Sequence, residues 1–523
     1  MQRWSRDQVL ALAPDAPSRK AAQGVSAPGK WSSNGTTGLV VFGECRGSGS
    51  KPYLACVDLA EPAYRCSCPS RKFPCKHALG LLLLWSADGV PELEAAPQWV
   101  TEWMEGRATR AAKSTARLEA ARAEMRSDAT DGVPPSPTDG VPHDTEGSAA
   151  AGTARPGPGG SGARETARPD TESPETSGAA SGVDRAGGGG AGRAESVRHG
   201  RVAAGLGELE RWLADQVRQG LAGAAEHDWE GLAKRLIDAQ APGVAGVVSR
   251  LSRVRAEEGW PGRLLEEYAL INLLAVAYRR RTGLPGPLAE TVLIRTGFPV
   301  TREEVLAGPV VRDHWDVLGR RDEQQDRLTA RRVWLRGRRT GRPALILSFA
   351  PQGQALDASL VTGTTIDADL TYYPGAAPLR ALVATRHGIL TPPARTPAPD
   401  TTPSRHTPSK ATPSKATPSQ VESSGDARLW DVPPGVSADE ALDEVARALA
   451  EDPWTESWPL VLAGAVPGRT EIGGLPWHPR SRDPWRLIAV SGGWPLTVAV
   501  EWTPQGLRPL TTWDDEGRAV ILA

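Results

Sequence analysis

Cys66, Cys68, Cys75 and His77 stand within twelve residues in the order Cys-x-Cys-x6-Cys-x-His. Four soft ligands at that spacing restrict the chain to a fold that gathers them at one point. Pro69 and Pro74 discourage regular structure inside the loop and favour a turn. An apolar run from Ala78 to Trp85 follows and reads as a buried helix with Cys75 and His77 in its first turn. A thiolate is favoured there by the free N–H groups and the helix dipole. Leu39–Glu44 and Tyr53–Asp58 read as strands, so the expected unit is ββα. Three thiolates and an imidazole suit tetrahedral Zn²⁺, and four protein ligands close the site, which makes the metal structural. Cys45 and Cys56 share strand parity with apolar neighbours and read as core thiols. Five cysteines with no Cys-x-x-Cys fit neither a disulfide framework nor a dithiol redox pair.

The stretch Cys66-Ser-Cys-Pro-Ser-Arg-Lys-Phe-Pro-Cys-Lys-His-Ala-Leu79 resembles the SWIM zinc-finger family and looks like a bacterial member with a short central spacer. The resemblance covers roughly residues 1–90. It implies a zinc module that contacts DNA or protein without a catalytic residue. It also implies partners that include an ATPase-containing system of remodelling or chaperone type.

Gly (56) and Pro (46) are abundant enough to demand long linkers. The chain reads as multidomain α+β: a small ββα zinc module, a disordered linker, a mainly α domain with a small sheet, a second linker, and a C-terminal α+β domain. The expected boundaries are 1–90 for the module, 91–126 for a charged helix and 127–200 for a Gly/Pro/Ser-rich linker. Then come 201–390 for the mainly helical domain with appended strands, 391–426 for a Thr-Pro-Ser repeat linker, and 427–523 for a Trp-rich α+β domain. Trp99 and Trp103 are placed to pack back onto the zinc module. Leu206, Leu209, Trp212 and Leu213 mark one helical face, and Leu232, Leu236 and Ile237 another. Leu264–Tyr278 reads as a buried helix. In the last domain Ser437 and Glu440 form a capping box, and Trp458–Leu462, Trp485–Val490, Trp494–Trp502 and Val520–Leu522 read as strands. Eight of the eighteen Trp lie in that domain, and their sizes favour core packing over a ligand platform.

The start of the chain lacks an apolar signal region, and Ala78–Ala87 is too short to span a bilayer. The expectation is a soluble cytoplasmic protein with no membrane partner. Net charge is −1, so the whole chain has no bias toward nucleic acid. Locally, residues 1–80 hold eleven Lys/Arg against five Asp/Glu. Arg71, Lys72 and Lys76 beside the zinc loop are candidate contacts to phosphates or to a protein partner. Residues 320–342 hold nine Arg and three acids around Trp334, which suggests a surface hairpin with a half-buried ring or a stacking platform. Residues 428–523 hold fourteen acids against eight Arg. The catalytic alternative is a hydrolase or nucleic-acid enzyme centred in 201–390, where Asp367 and Asp369 face one side of a probable strand. No phosphate loop, His-Glu-x-x-His helix or Gly-x-Ser-x-Gly elbow supports it, and His314 has no evident partner set. The sequence therefore reads as a zinc-binding adaptor.

Overall fold

The apolar run after His77 has to be covered on every side, and the elements before it supply the cover. Two short helices, α1 (Arg6–Ala11) and α2 (Ala16–Val25), come first. An antiparallel meander follows: β1 (Trp31–Thr36), β2 (Val40–Cys45), β3 (Tyr53–Asp58) and β4 (Ala63–Cys66). Helix α3 (Lys76–Ser86) is buried from His77 to Trp85, with α1 and α2 against it on one side and β2 and β3 on the other. Gly80 permits the closest approach: a Cβ there would lie 2.6 Å from a Val25 methyl and 3.2 Å from the Ala22 carbonyl. This computed structural model describes residues 3–130, 188–390 and 432–522, apart from positions 48, 71, 224, 326, 327, 353, 355, 482 and 483. Most of the two expected linkers, at 131–187 and 391–426, lies outside the described residues.

The two expected strands of the zinc module are present as β2 and β3, and β1 and β4 add an edge on each side. Cys45 sits in the main core of the module. Cys56 lies in a second cluster with Val40 and Phe42, covered by Val100 and by Trp99 and Trp103 of α4 (Gln98–Thr130). Burial pushes the Cys56 thiol up to about 12, as befits a small apolar group.

A helix bundle follows, made of α5 (Gly188–Gln219), α6 (Glu226–Asp238), α7 (Pro242–Ser249), α8 (Leu251–Arg255), α9 (Trp260–Arg279) and α10 (Gly286–Thr296), and a short helix α11 (Arg302–Ala307) then packs Val305 and Leu306 against Leu382 of the strands that come next. Val202, Leu206, Leu209 and Leu213 of α5 recur at helical spacing and meet Trp229, Leu232 and Leu236 of α6 in the core. Trp229 Nε1 donates to Tyr268 Oη at 3.0 Å, which satisfies the buried indole. Ile237 departs from expectation. It is 58% exposed, because the buried stripe of α6 follows Trp229, Leu232 and Leu236 and leaves the adjacent position outside.

The strands expected as a small appended sheet close into a barrel. Its members are β5 (Val310–Gln325), β6 (Leu328–Gly337), β7 (Pro343–Pro351), β8 (Thr365–Tyr372) and β9 (Arg380–Leu390), joined in the order β5-β6-β7-β9-β8. All neighbours are antiparallel except β7 and β9. Trp315, Val317, Val333, Leu335, Ile366 and Leu370 fill the interior.

The C-terminal region has α12 (Ala438–Glu451), β10 (Trp458–Ala465), β11 (Glu471–Ile472), β12 (Leu475–Pro476), α13 (Trp485–Ser491), β13 (Leu496–Thr503), β14 (Gly506–Trp513) and β15 (Ala519–Ile521). Its main sheet runs β10-β13-β14-β15, antiparallel throughout. Ser437 and Glu440 form the expected capping box on α12. The expected strand at Trp485–Val490 is instead helix α13, started by Pro484 and ended by Gly492 in the left-handed conformation. Helical spacing buries Leu487 and Ser491 and leaves Trp485 half exposed. Trp454 and Trp458 are buried, whereas Trp494 is 75% exposed, so the tryptophans share no single face.

Barrel and C-terminal sheet join through one apolar cluster of Leu318, Trp334, Leu345, Val461, Ala499 and Leu510. Gly319 allows the contact, since a Cβ there would lie 2.6 Å from Leu510 Cβ. Trp334 is therefore fully buried, neither the stacking platform nor the half-buried ring that its basic surroundings suggested. The arginines around it are structural. Arg336 makes a bidentate pair with Glu444 of α12 at 3.0 and 2.7 Å. Arg331 does the same to Asp322 at 2.7 Å, and Arg338 Nε reaches Asp316 at 2.8 Å.

The zinc module is fastened to both regions. Gln8 Nε2 donates to the Thr362 carbonyl at 2.9 Å, and Ser5 Oγ to the Ala519 carbonyl at 3.3 Å. Tyr64 Oη reaches the Ala358 carbonyl at 3.4 Å, and Val361 enters the core of the module.

Candidate metal centre

Cys66, Cys75 and His77 are placed by the end of a strand and the start of a helix, and Cys68 by the bend that follows the strand. Cys66 is the last residue of β4, opposite Ala55 of β3. Ser67 continues the pairing: its N–H donates to the Leu54 carbonyl at 2.9 Å and its Oγ accepts from Leu54 N–H at 2.9 Å. That clamp sends Cys66 and Cys68 toward the same point. Cys75 is the N-cap of α3, and His77 lies one residue inside the helix. The Tyr53 ring stacks on the His77 imidazole with centroids 4.7 Å apart and planes 28° from parallel. Tyr53 was not singled out from sequence, since nothing in its position on β3 marks it as a partner of His77.

The ligand atoms of Cys66, Cys68, Cys75 and His77 all lie within 4.8 Å of one another, and Cys66 Sγ is 3.7 Å from His77 Nδ1. Cys75 and His77 are buried, and the other two are half-buried. The neighbouring Cys66 thiol, with help from His77 and the Ala78 N–H, holds the Cys75 thiol well below its usual value. Cys75 in turn and burial push Cys66 up, and burial pushes Cys68 up. Three thiolates side by side need a cation to coexist, and the donor set of three sulfurs and one imidazole nitrogen fits Zn²⁺. A zinc ion held there would cross-link β4 to the start of α3. Among the described residues no other group of three or more Cys, His, Asp or Glu side chains is gathered closely enough to hold a metal.

Of the three candidate contact residues, Arg71 lies outside the described residues. Lys72 is exposed, and its Nζ pairs at 2.5 Å with Asp15, the residue that caps α2. That lysine, first, and the Ser18 bonds hold the Asp15 carboxyl down to about 2. Lys76 is exposed in the first turn of α3.

The acids of the catalytic alternative are indeed drawn together with a histidine. Asp367 and Asp369 share one side of β8, and His387 Nε2 lies 3.1 Å from Asp369 Oδ2. Arg312 of the neighbouring strand then occupies both carboxylates, at 2.8 Å from Asp367 and 3.5 Å from Asp369. The cluster is an ion-pair ladder on the barrel wall. His314 stands directly opposite Asp367 in the β5–β8 pairing, on the same face as these acids, and the adjacent Asp313 carboxylate accepts the N–H groups of Arg339 and Thr340 at the β6–β7 turn.

Residues 56–85 match the family model of the SWIM zinc finger, from β3 to the end of α3. Residues 197–296 match a second model, the SWIM-associated four-helix bundle domain, which takes in α5 to α10. The finger and the cysteine–histidine cluster together fit a zinc-binding module. Neither a curated protein nor a solved structure matches the chain. Among the described residues no helix is long and apolar enough to cross a membrane.

Proposed function

We propose that the chain is a zinc-stabilised adaptor without catalytic activity. Cys66, Cys68, Cys75 and His77 hold one Zn²⁺, and the finger it fixes contacts a protein partner. Four protein ligands leave no open position for water or substrate, so the metal is structural. The observation that carries protein over nucleic acid is the use already made of the basic residues. Lys72 pairs with Asp15, and Arg331, Arg336 and Arg338 pair with Asp322, Glu444 and Asp316. In the arginine-rich part of the barrel little uncommitted charge is therefore left to displace counterions from a duplex. The family resemblance implies that the partner belongs to an ATPase-containing system.

Nucleic-acid contact is the second reading, because Lys30, Arg46, Lys51 and Lys76 are exposed on the finger and form no ion pair among the described residues. Zinc analysis of the purified chain, with duplex DNA titrated at two salt concentrations, separates the two. One zinc per chain with weak DNA binding supports protein recognition. Tight binding that falls about 10³-fold or more between 50 and 200 mM salt transfers the finger to nucleic acid.

A further inference from the structure

A cleft of about 880 Å³ opens where the helix bundle, the barrel and the C-terminal sheet meet. Its volume is in the range that holds a small molecule. Its upper wall keeps apolar surface accessible at Val247, Leu270, Leu449 and Trp502, from α7, α9, α12 and β13. Leu270 is 36% exposed, so its side chain is open to a molecule in the cleft.

The floor is different in kind. Glu501 of β13 is fully buried, and neither carboxylate oxygen has a hydrogen-bond partner. Arg508, opposite it on β14, approaches to 3.6 Å, and Arg321 of β5 to 3.5 Å. Beside them Arg332 faces Glu323 at 3.7 Å. These are ion-pair distances at or beyond the limit of a hydrogen bond; Arg508 Nη2 donates to His478 Nε2 at 2.8 Å, and its other N–H groups, with those of Arg332, remain underused. The lining as a whole carries seven Arg against five Glu, which gives it a positive sign. The Glu501 oxygens are sealed from solvent, so an incoming molecule meets the arginines and not the carboxylate.

We propose that this cleft binds an amphipathic anion, an apolar body carrying one phosphate or carboxylate group. The apolar body lies against Leu270, Val247 and Trp502. The anionic group takes the N–H donors of Arg508 and Arg332, for which bidentate recognition of either oxyanion is natural. The site lies apart from the finger and does not depend on what the finger contacts.

Calorimetric titration of the full, zinc-loaded chain with four probes tests this: 1-naphthyl phosphate, 1-naphthoate, 1-naphthol and inorganic phosphate. At least one naphthyl anion is expected to bind ten times or more tighter than both naphthol and phosphate. The better of the two tells phosphate from carboxylate. Arg508→Gln is expected to remove that margin. Leu270→Asp, at an exposed position that leaves the fold intact, is expected to weaken the anion at least tenfold. Equal binding of naphthol and its anions overturns the proposal, as does binding of phosphate alone with the same affinity. Unchanged affinity in Leu270→Asp overturns it as well.

Discussion

The finger and the joint between barrel and C-terminal sheet are held by opposite means. In the finger, four ligands from twelve consecutive residues close a loop over a helix whose apolar side chains are all covered. At the joint, six apolar side chains from distant strands and one bidentate pair, Arg336–Glu444, bring together segments more than a hundred residues apart. The finger carries its chemistry on short-range spacing. The joint places conspicuous charge beside a tryptophan and uses both for assembly. A cluster of arginines in sequence is therefore no guide to a ligand until its partners are known.

Removing a ligand tests the first side of this contrast most severely. Cys75→Ser is expected to lower the zinc content from one to none. The change should cost on the order of 10 kcal/mol, the scale of structural zinc binding. Because Val361 sits in the finger core and α1 is tied to Thr362 and Ala519, faster hydrogen exchange should reach residues 358–363 and β15 as well as β1–α3. The bundle from α5 to α10 should keep its protection. Full zinc retention with unchanged exchange would remove the metal from the account of the finger.

The joint is tested by Trp334→Ala, which empties the centre of its apolar cluster. A loss of about 3–5 kcal/mol is expected for a fully buried ring, measured by denaturant unfolding of the whole chain. A loss below about 1 kcal/mol would mean that the arginine pairs, not the tryptophan, unite the two sheets.

The smallest effect concerns Asp15 and Lys72, an exposed pair worth about 0.5 kcal/mol. The Asp15 carboxyl is held down to about 2, below its unfolded value near 3.9. Its contribution is complete above the unfolded value and disappears as pH falls toward 2. Asp15→Asn should flatten the stability–pH curve in that window and lower stability at neutrality by about 0.5 kcal/mol. A curve identical to that of the parent protein would show that the pair adds nothing.

Sequence made the finger legible because ligands, prolines and apolar run are contiguous, and Cys45 and Cys56 declared themselves by strand parity. It did not reveal the barrel, since closure depends on β5 meeting the distant β8 as well as its hairpin neighbour β6. Strand character at Val333–Leu335 was visible, but nothing local distinguishes an open sheet from a closed one. The segment at Trp485–Val490 misled because its β-branched and aromatic residues favour strands, while Pro484 and Gly492 fix a one-element helix between them. Glu444 reads as a surface acid of α12, and only the fold brings Arg336 to it.

The bond from Ser5 on the approach to α1 to Ala519 on β15 spans 514 positions of the chain. Made at 5–20 residues per second, the two ends of that contact leave the ribosome roughly 25–100 s apart. Through that interval the finger is complete in its ligands yet lacks the strand that helps seat its first helix. The vulnerable species is thus the nascent chain, with α1 waiting for β15, and the cell meets it at every round of synthesis.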